Sequence, residues 1–260
     1  MRYRHLIDAF AFSSLLPAVL AFLLSWTTSL LLVAPGPWRW ATLASFGTLV
    51  VYNVDRLRDT ARDRATSPDR TAFVERFRGA LTLALSGSAI VLAVLLAEAP
   101  SEIIGVTIAI GLIGLFHRRM KRATAWKALY VSIAWTTVCA GIPWLAARKP
   151  EAGLWIMAIF MFVLSANLIA SNLQDDEFQL FSVRPKLVLR TAFALAGLGA
   201  GLALTAPDAL RPLFWIAIAE ALAILGFRRG EQYRLLVIDG ALLVGAAVAL
   251  IDILWIHWLG

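Results

Sequence analysis

The sequence predicts an all-α fold: a polytopic membrane bundle of about nine transmembrane helices that starts from a cytoplasmic N-terminus. Three observations predict it. The 260 residues are 60% hydrophobic and only 16% charged, against roughly 45–50% apolar and 25% charged in ordinary globular chains. The apolar residues fall in long runs without the alternation of a membrane barrel, and backbone groups in lipid must be satisfied within a segment, so the runs read as helices. The basic residues are also unevenly distributed between alternate connections.

The runs lie near 10–34, 39–57, 79–98, 102–117, 127–147, 152–174, 186–206, 210–227 and 234–258. The first follows a basic front, MRYRH, like that of a signal peptide. It is longer than the roughly 7–15 residues of a signal h-region and ends in no clean cleavage site, so it is expected to remain as the first span. Pro17 and Pro143 fall inside spans and are expected to kink them. Gly105, Gly111 and Gly114 in the fourth span, and Gly197, Gly199 and Gly201 in the seventh, mark expected close helix approaches. With an N-terminus in the cytoplasm, alternate connections place twenty of the 24 Lys and Arg residues on that side. Only Arg39, Arg148, Lys149 and Arg211 fall on the other. This split follows the positive-inside rule and puts the C-terminus outside. It also accounts for the net charge of +7 without a nucleic-acid partner. No length remains for a sizeable soluble domain, so residues 1–260 read as one membrane domain. The lone Cys139 excludes a disulfide framework.

Two acidic stretches carry the chemistry. The second span runs into DRLRDTARDR, where Asp55, Asp59 and Asp63 recur every four residues and so share one face of a continuing helix. Like charges at this spacing repel, and Mg²⁺ removes the penalty because it takes one or two carboxylates together with substrate phosphates. On this stretch alone, a solvated helix end with Asp55–Arg58 and Asp59–Arg62 pairs explains the pattern equally well. The sixth span ends in NLIASNLQDDEFQ, where Asn167, Ser171, Asp175 and Gln179 fall on one face and Asn172 and Asp176 on the adjoining one. Both stretches lie at cytoplasmic ends of their spans, where two carboxylate clusters could hold Mg²⁺ between them, bridged by a diphosphate. The connection HRRMKRATAWK adds Arg118, Arg119, Lys121, Arg122 and Lys127, and the connection after the second span adds Arg62, Arg64 and Arg70; two or three of these are expected to serve phosphate oxygens, and most to serve as membrane anchors.

With these motifs the sequence resembles the UbiA superfamily of intramembrane prenyltransferases, nine-helix bundles with one Asp-rich motif after the second helix and another after the sixth. The stretch DRLRDTARDR is similar to the family's DxxxD with its following basic residue. The resemblance implies a metal role for Asp55 and Asp59 and a diphosphate role for Arg64. MKRATAWKALYVSIAWTTVCAGIPW is similar to the family's fourth connection and fifth helix, which implies Lys121 and Arg122 as diphosphate contacts. NLQDDEFQ is similar to the second motif, with Asp175 as a metal ligand and Asn172 as a diphosphate contact. Asn53, Asp63, Asp176 and Gln179 are further candidate ligands. The sequence departs from the family pattern in two places. Val51 and Tyr52 stand where the family has Asn-Asp, and neutral Gln179 ends the second motif.

The resemblance implies Mg²⁺-dependent transfer of a prenyl group from a prenyl diphosphate to a lipid-soluble aromatic or quinone-precursor acceptor. The expected setting is a bacterial plasma membrane with the site facing the cytoplasm. A terpene cyclase on the same scaffold needs the same ionisation site. A transporter is the rival of another class, with Glu220, Asp239 and Asp252 as intramembrane acids lining a path. It predicts internal repeats, and none is present beyond the paired acidic stretches. The scattered His5, His117 and His257 lack ligand spacing.

Overall fold

A computed structural model describes residues 10, 12–64, 67–120, 124–173, 184–228 and 233–259. Among them there is no strand. The helices are α1 (Leu15–Leu31), α2 (Pro37–Asp63), α3 (Pro68–Arg76), α4 (Arg78–Ala97), α5 (Ser101–Met120) and α6 (Thr124–Thr136). After a π-helical turn, Thr137–Gly141, come α7 (Ile142–Ala147), α8 (Pro150–Asn172) and α9 (Pro185–Thr205). A 3₁₀ segment, Asp208–Leu213, leads into α10 (Phe214–Leu225), and a second π turn, Arg234–Ile238, leads into α11 (Asp239–Leu259).

A helix overlaps each apolar run of the sequence, but not every one is a membrane span on its own. Five stretches are long and apolar enough to cross a bilayer: Arg78–Ala97, Lys127–Ala147, Pro150–Asn172, Pro185–Thr205 and Leu236–Ile256. Leu15–Leu31 and Ser101–Gly114 are apolar but shorter. The run at 39–57 belongs to the 27-residue α2, whose last turns are charged. The run at 210–227 divides into the 3₁₀ segment, which contains Pro212, and a 12-residue α10. At 1.5 Å per residue, 12 residues reach about 18 Å of a hydrocarbon core about 30 Å thick.

The connection after α2 contains a helix that the apolar pattern did not predict. Pro68 at the first position of α3, Asp69 in its first turn and Arg76 in its last suit the helix start, its positive end and its negative end respectively. Pro143 also acts differently from a simple kink. Proline cannot donate the i→i−4 bond, and the preceding turn widens so that the Ile142 N–H reaches the Thr137 carbonyl instead.

The helices pack in a ring: α1 on α2, α2 on α4 and α5, α5 on α6, α6 on α8, α8 on α9, α9 on α10, α10 on α11, and α11 back on α1. Leu20, Leu24, Ile156, Ile159, Phe160, Leu213 and Ile216 fill the centre. Leu83, Ile90, Val94, Ile251 and Ile256 are exposed on the outside, more than half of each accessible. Apolar residues exposed this widely suit a lipid-facing wall.

Close approaches use fewer glycines than the sequence suggests. A Cβ at Gly199 would lie 2.6 Å from Val163 Cγ2, between α9 and α8, and one at Gly114 would lie 2.8 Å from Val51 Cγ1, between α5 and α2. Gly105, Gly111, Gly197 and Gly201 meet nothing within 4 Å. The tightest backbone approach is at Gly245, where a Cβ would fall 2.7 Å from Ile216 Cα and 2.8 Å from the Trp215 carbonyl oxygen.

Candidate active site

The inner faces of α2, α5 and α6, with Leu168 and Asn172 of α8, line a half-open cavity of about 300 Å³. Each wall is a stripe at helical spacing. On α2 the stripe is Leu43, Gly47, Val51 and Asp55, four apart, with Thr48 and Tyr52 beside it. On α6 it is Lys127, Tyr130, Val131, Ala134 and Trp135, continuing to Val138 in the π turn. Thr107, Ile110, Gly111 and Gly114 line it from α5.

The polar groups gather at one end. Asp55 and Lys127 lie near the charged ends of their helices, and Asn172 closes α8, so the three enter the cavity from the same side of the bundle. Further in, the walls are apolar apart from Thr48, Thr107, Tyr52 and Tyr130. The Tyr52 and Trp135 rings meet edge to face at 6.3 Å and 88°. Gly47 and Gly111 have open space where a side chain would project, which leaves the cavity wide at these positions.

The structure separates the carboxylates that the sequence places on one strip. Asp55 lines the cavity with its side chain 30% exposed, whereas the Asp59 side chain is fully buried and is not part of the lining. The Arg58 guanidinium stands 3.6 Å from each and offsets their repulsion. Asn53 faces α1, not the cavity: it is fully buried, and the Ser14 hydroxyl donates to its Oδ1 at 3.0 Å. Arg56 on the same side donates to the Phe12 carbonyl. Arg64 pairs with Glu75 across the exposed α2–α3 corner. The side chain of Asp63, and Lys121, Arg122, Asp175, Asp176 and Gln179, lie outside the described residues. Among the described residues no group of three or more His, Cys, Asp or Glu side chains is placed to hold a metal ion. On the cavity itself, the hard-oxygen donors at the polar end are Asp55 and Asn172, a set that suits Mg²⁺ shared with phosphate oxygens.

Tyr52, Tyr130 and Trp135 were not among the sequence candidates. Their signal is the spacing: Tyr52 precedes Asp55 by three residues, and Tyr130 and Trp135 follow Lys127 by three and eight. The three intramembrane acids also separate. Asp252 accepts from the Trp215 indole N–H at 3.0 Å on the exposed surface. Glu220 is fully buried and Asp239 half-buried, and neither side chain lines the cavity. Near the start of the last span, the Tyr233 hydroxyl donates to the Ala223 carbonyl at 3.0 Å, and burial raises its phenol above the ordinary value.

No family model matches the chain, and neither does a curated protein or a solved structure.

Proposed function

We propose that the chain is a Mg²⁺-dependent intramembrane prenyltransferase of the UbiA kind, a nine-span bundle with its N-terminus and polar cavity end at the cytoplasmic face. One observation carries this reading. Asp55 from the first acidic stretch and Asn172 from the start of the second, far apart in sequence, line one cavity together with Lys127, and most of the rest of its wall is apolar. An amphiphile with an anionic head and a hydrocarbon tail matches that division, and a prenyl diphosphate has this form.

Asp55, with oxygen donors from the stretch that Asn172 opens, would hold Mg²⁺ against the diphosphate, and the bound ion would supply positive charge to the leaving group. Lys127 adds a cation on the other side of the same end. The apolar walls hold the tail and exclude water, which would otherwise capture an allylic cation. Tyr52 and Trp135 present aromatic rings along the path between head and tail.

The test is binding of prenyl diphosphates of increasing chain length to the purified protein, with and without Mg²⁺. Saturable, Mg²⁺-dependent binding is expected, and absence of binding at every length would remove this reading. A second outcome follows from the open space at Gly111. Gly111→Leu should shorten the longest tail accepted while leaving Mg²⁺ dependence intact, read as a shift in chain-length profile. An unchanged profile would show that the tail lies elsewhere.

A further inference from the structure

A second pocket lies at the opposite end of the helices that line the cavity. It is half-open, measures about 470 Å³ and is bordered by three connections, through Pro35 before α2, Pro100 before α5, and Arg148 and Pro150 between α7 and α8. Trp40 and Ile103 line it and pack in one buried cluster with Leu43 and Ile142, which line the cavity. This apolar layer stands between the two spaces, so the pocket is separate from the cavity.

Local structure holds the rim in place. Val33 and Gly36 take left-handed backbone angles, φ 52° and 61°, and the Trp40 indole N–H donates to the Pro35 carbonyl at 2.8 Å. A β-branched residue in that region is strained and persists only where its surroundings fix it. Arg148, at φ 54°, turns the chain from α7 into α8, and its N–H donates to the Trp144 carbonyl at 3.0 Å. The Trp144 ring, also on the pocket wall, occupies the space that a side chain at position 153 would need, so it rests against the backbone of α8.

The charges at this end are divided. Arg39 donates to the Leu95 carbonyl at 3.0 Å, stands 3.6 Å from Glu98 and lies over the Trp40 ring at 5.3 Å, so it is already engaged. Glu102 and Arg148 line the pocket itself. They form no ion pair with each other; among the described residues the Arg148 guanidinium has no hydrogen-bond partner, and Glu102 receives only a 3.4 Å contact from the Ser101 hydroxyl. An acid and a base held apart on one largely apolar pocket match a head group that carries both a phosphate and an ammonium. The position fits as well. Trp38, Trp40, Trp144 and Trp155 lie at this end of their helices, and tryptophan gathers at the level of lipid head groups. A quaternary ammonium would need aromatic faces around it, but the Trp40 ring already carries Arg39. A primary ammonium instead donates hydrogen bonds to a carboxylate, which Glu102 supplies.

We infer that this pocket binds the head group of a phosphatidylethanolamine, with the phosphate on Arg148 and the ammonium on Glu102. Leu145, which lines the pocket and is also exposed, gives the acyl chains an apolar exit. The lipid ties together the three connections that border the pocket.

The experiment is native mass spectrometry of the purified full-length protein in detergent, with neither Mg²⁺ nor prenyl diphosphate present. Dioleoyl-phosphatidylethanolamine, dioleoyl-phosphatidylcholine and dioleoyl-phosphatidylglycerol are titrated separately. One ethanolamine lipid should be retained, at a half-saturating concentration about tenfold or more below that of the other two, the scale of one charge-assisted contact. Arg148→Gln should weaken all three lipids alike, because each carries the phosphate. Glu102→Gln should weaken only the ethanolamine lipid and so erase the preference. Both side chains are exposed, so both variants should fold. Lys149→Gln, beside the pocket but not lining it, is the control and should bind as the wild type does. Equal affinity for the three lipids, a preference for the choline or glycerol head group, or an ethanolamine preference that survives in Glu102→Gln would each overturn the assignment. So would unchanged binding in Arg148→Gln, or an equal loss in Lys149→Gln. Because the measurement excludes the prenyl substrate, its failure leaves the reading of the cavity untouched.

Discussion

Asp55→Asn is expected to lower Mg²⁺-dependent turnover of a prenyl diphosphate by about 10³-fold, the scale of several kcal/mol of lost charge stabilisation, with little change in melting temperature. Asp55 is a carboxylate on the cavity wall, and its side chain is 30% exposed. The amide that replaces it keeps the volume, so packing is retained while the anionic oxygen that draws the metal is lost. Asp59→Asn should behave differently, because its side chain is fully buried beside Arg58 and off the cavity. Losing that carboxylate removes the neighbour of a guanidinium, and a stability loss of about 1–3 kcal/mol is expected. Turnover per folded molecule should fall less than in Asp55→Asn. Measuring activity and unfolding on both variants separates the two roles. Full activity in Asp55→Asn, or equal activity losses at equal stability, would falsify the division.

Gly245→Val should be the most damaging single change to stability, at about 3 kcal/mol or more. The atoms that a new Cβ would meet are Ile216 Cα and the Trp215 carbonyl oxygen, at 2.7 and 2.8 Å, and both belong to the backbone of α10. A backbone cannot rotate away as a side chain can, so α10 and α11 must separate along their contact. Gly199→Ala should cost less, because the obstacle there is the Val163 side chain. Gly240→Ala, on the same helix as Gly245 with nothing within 4 Å, is the control and should be near neutral. Unfolding midpoints in a common detergent rank the three. A Gly245→Val protein as stable as Gly240→Ala would show that the two helices do not meet as closely as this.

Much of the architecture was legible in the sequence, because lipid imposes a coarse rule. Long apolar runs without alternation must satisfy their own backbone, and a helix overlaps each of the predicted runs. The rule weakens where a helix leaves the apolar band. The extension of α2 to Asp63, the short helix α3 and the division of the 210–227 run depend on caps, charges and Pro212, which hydropathy does not record. The glycines show a similar limit. Sequence spacing marks which helices carry small residues, but the contact at Gly199 and the open space at Gly197 follow from the rotation of α9 against α8.

The sequence by itself determined that this is an all-helical, membrane-type chain and that its two acidic stretches follow apolar runs, because composition and four-residue spacing are local properties. Tertiary structure decided which carboxylate reaches the cavity. Asp55 and Asp59 differ by one turn and therefore by about 40° around the helix, and the packing leaves one on the cavity and buries the other. It also brought Asn172 and Lys127 to Asp55, and Asn167 and Asp239 to Glu220. Such meetings depend on how the helices are rotated and paired, a property of the packed ring that no single segment encodes.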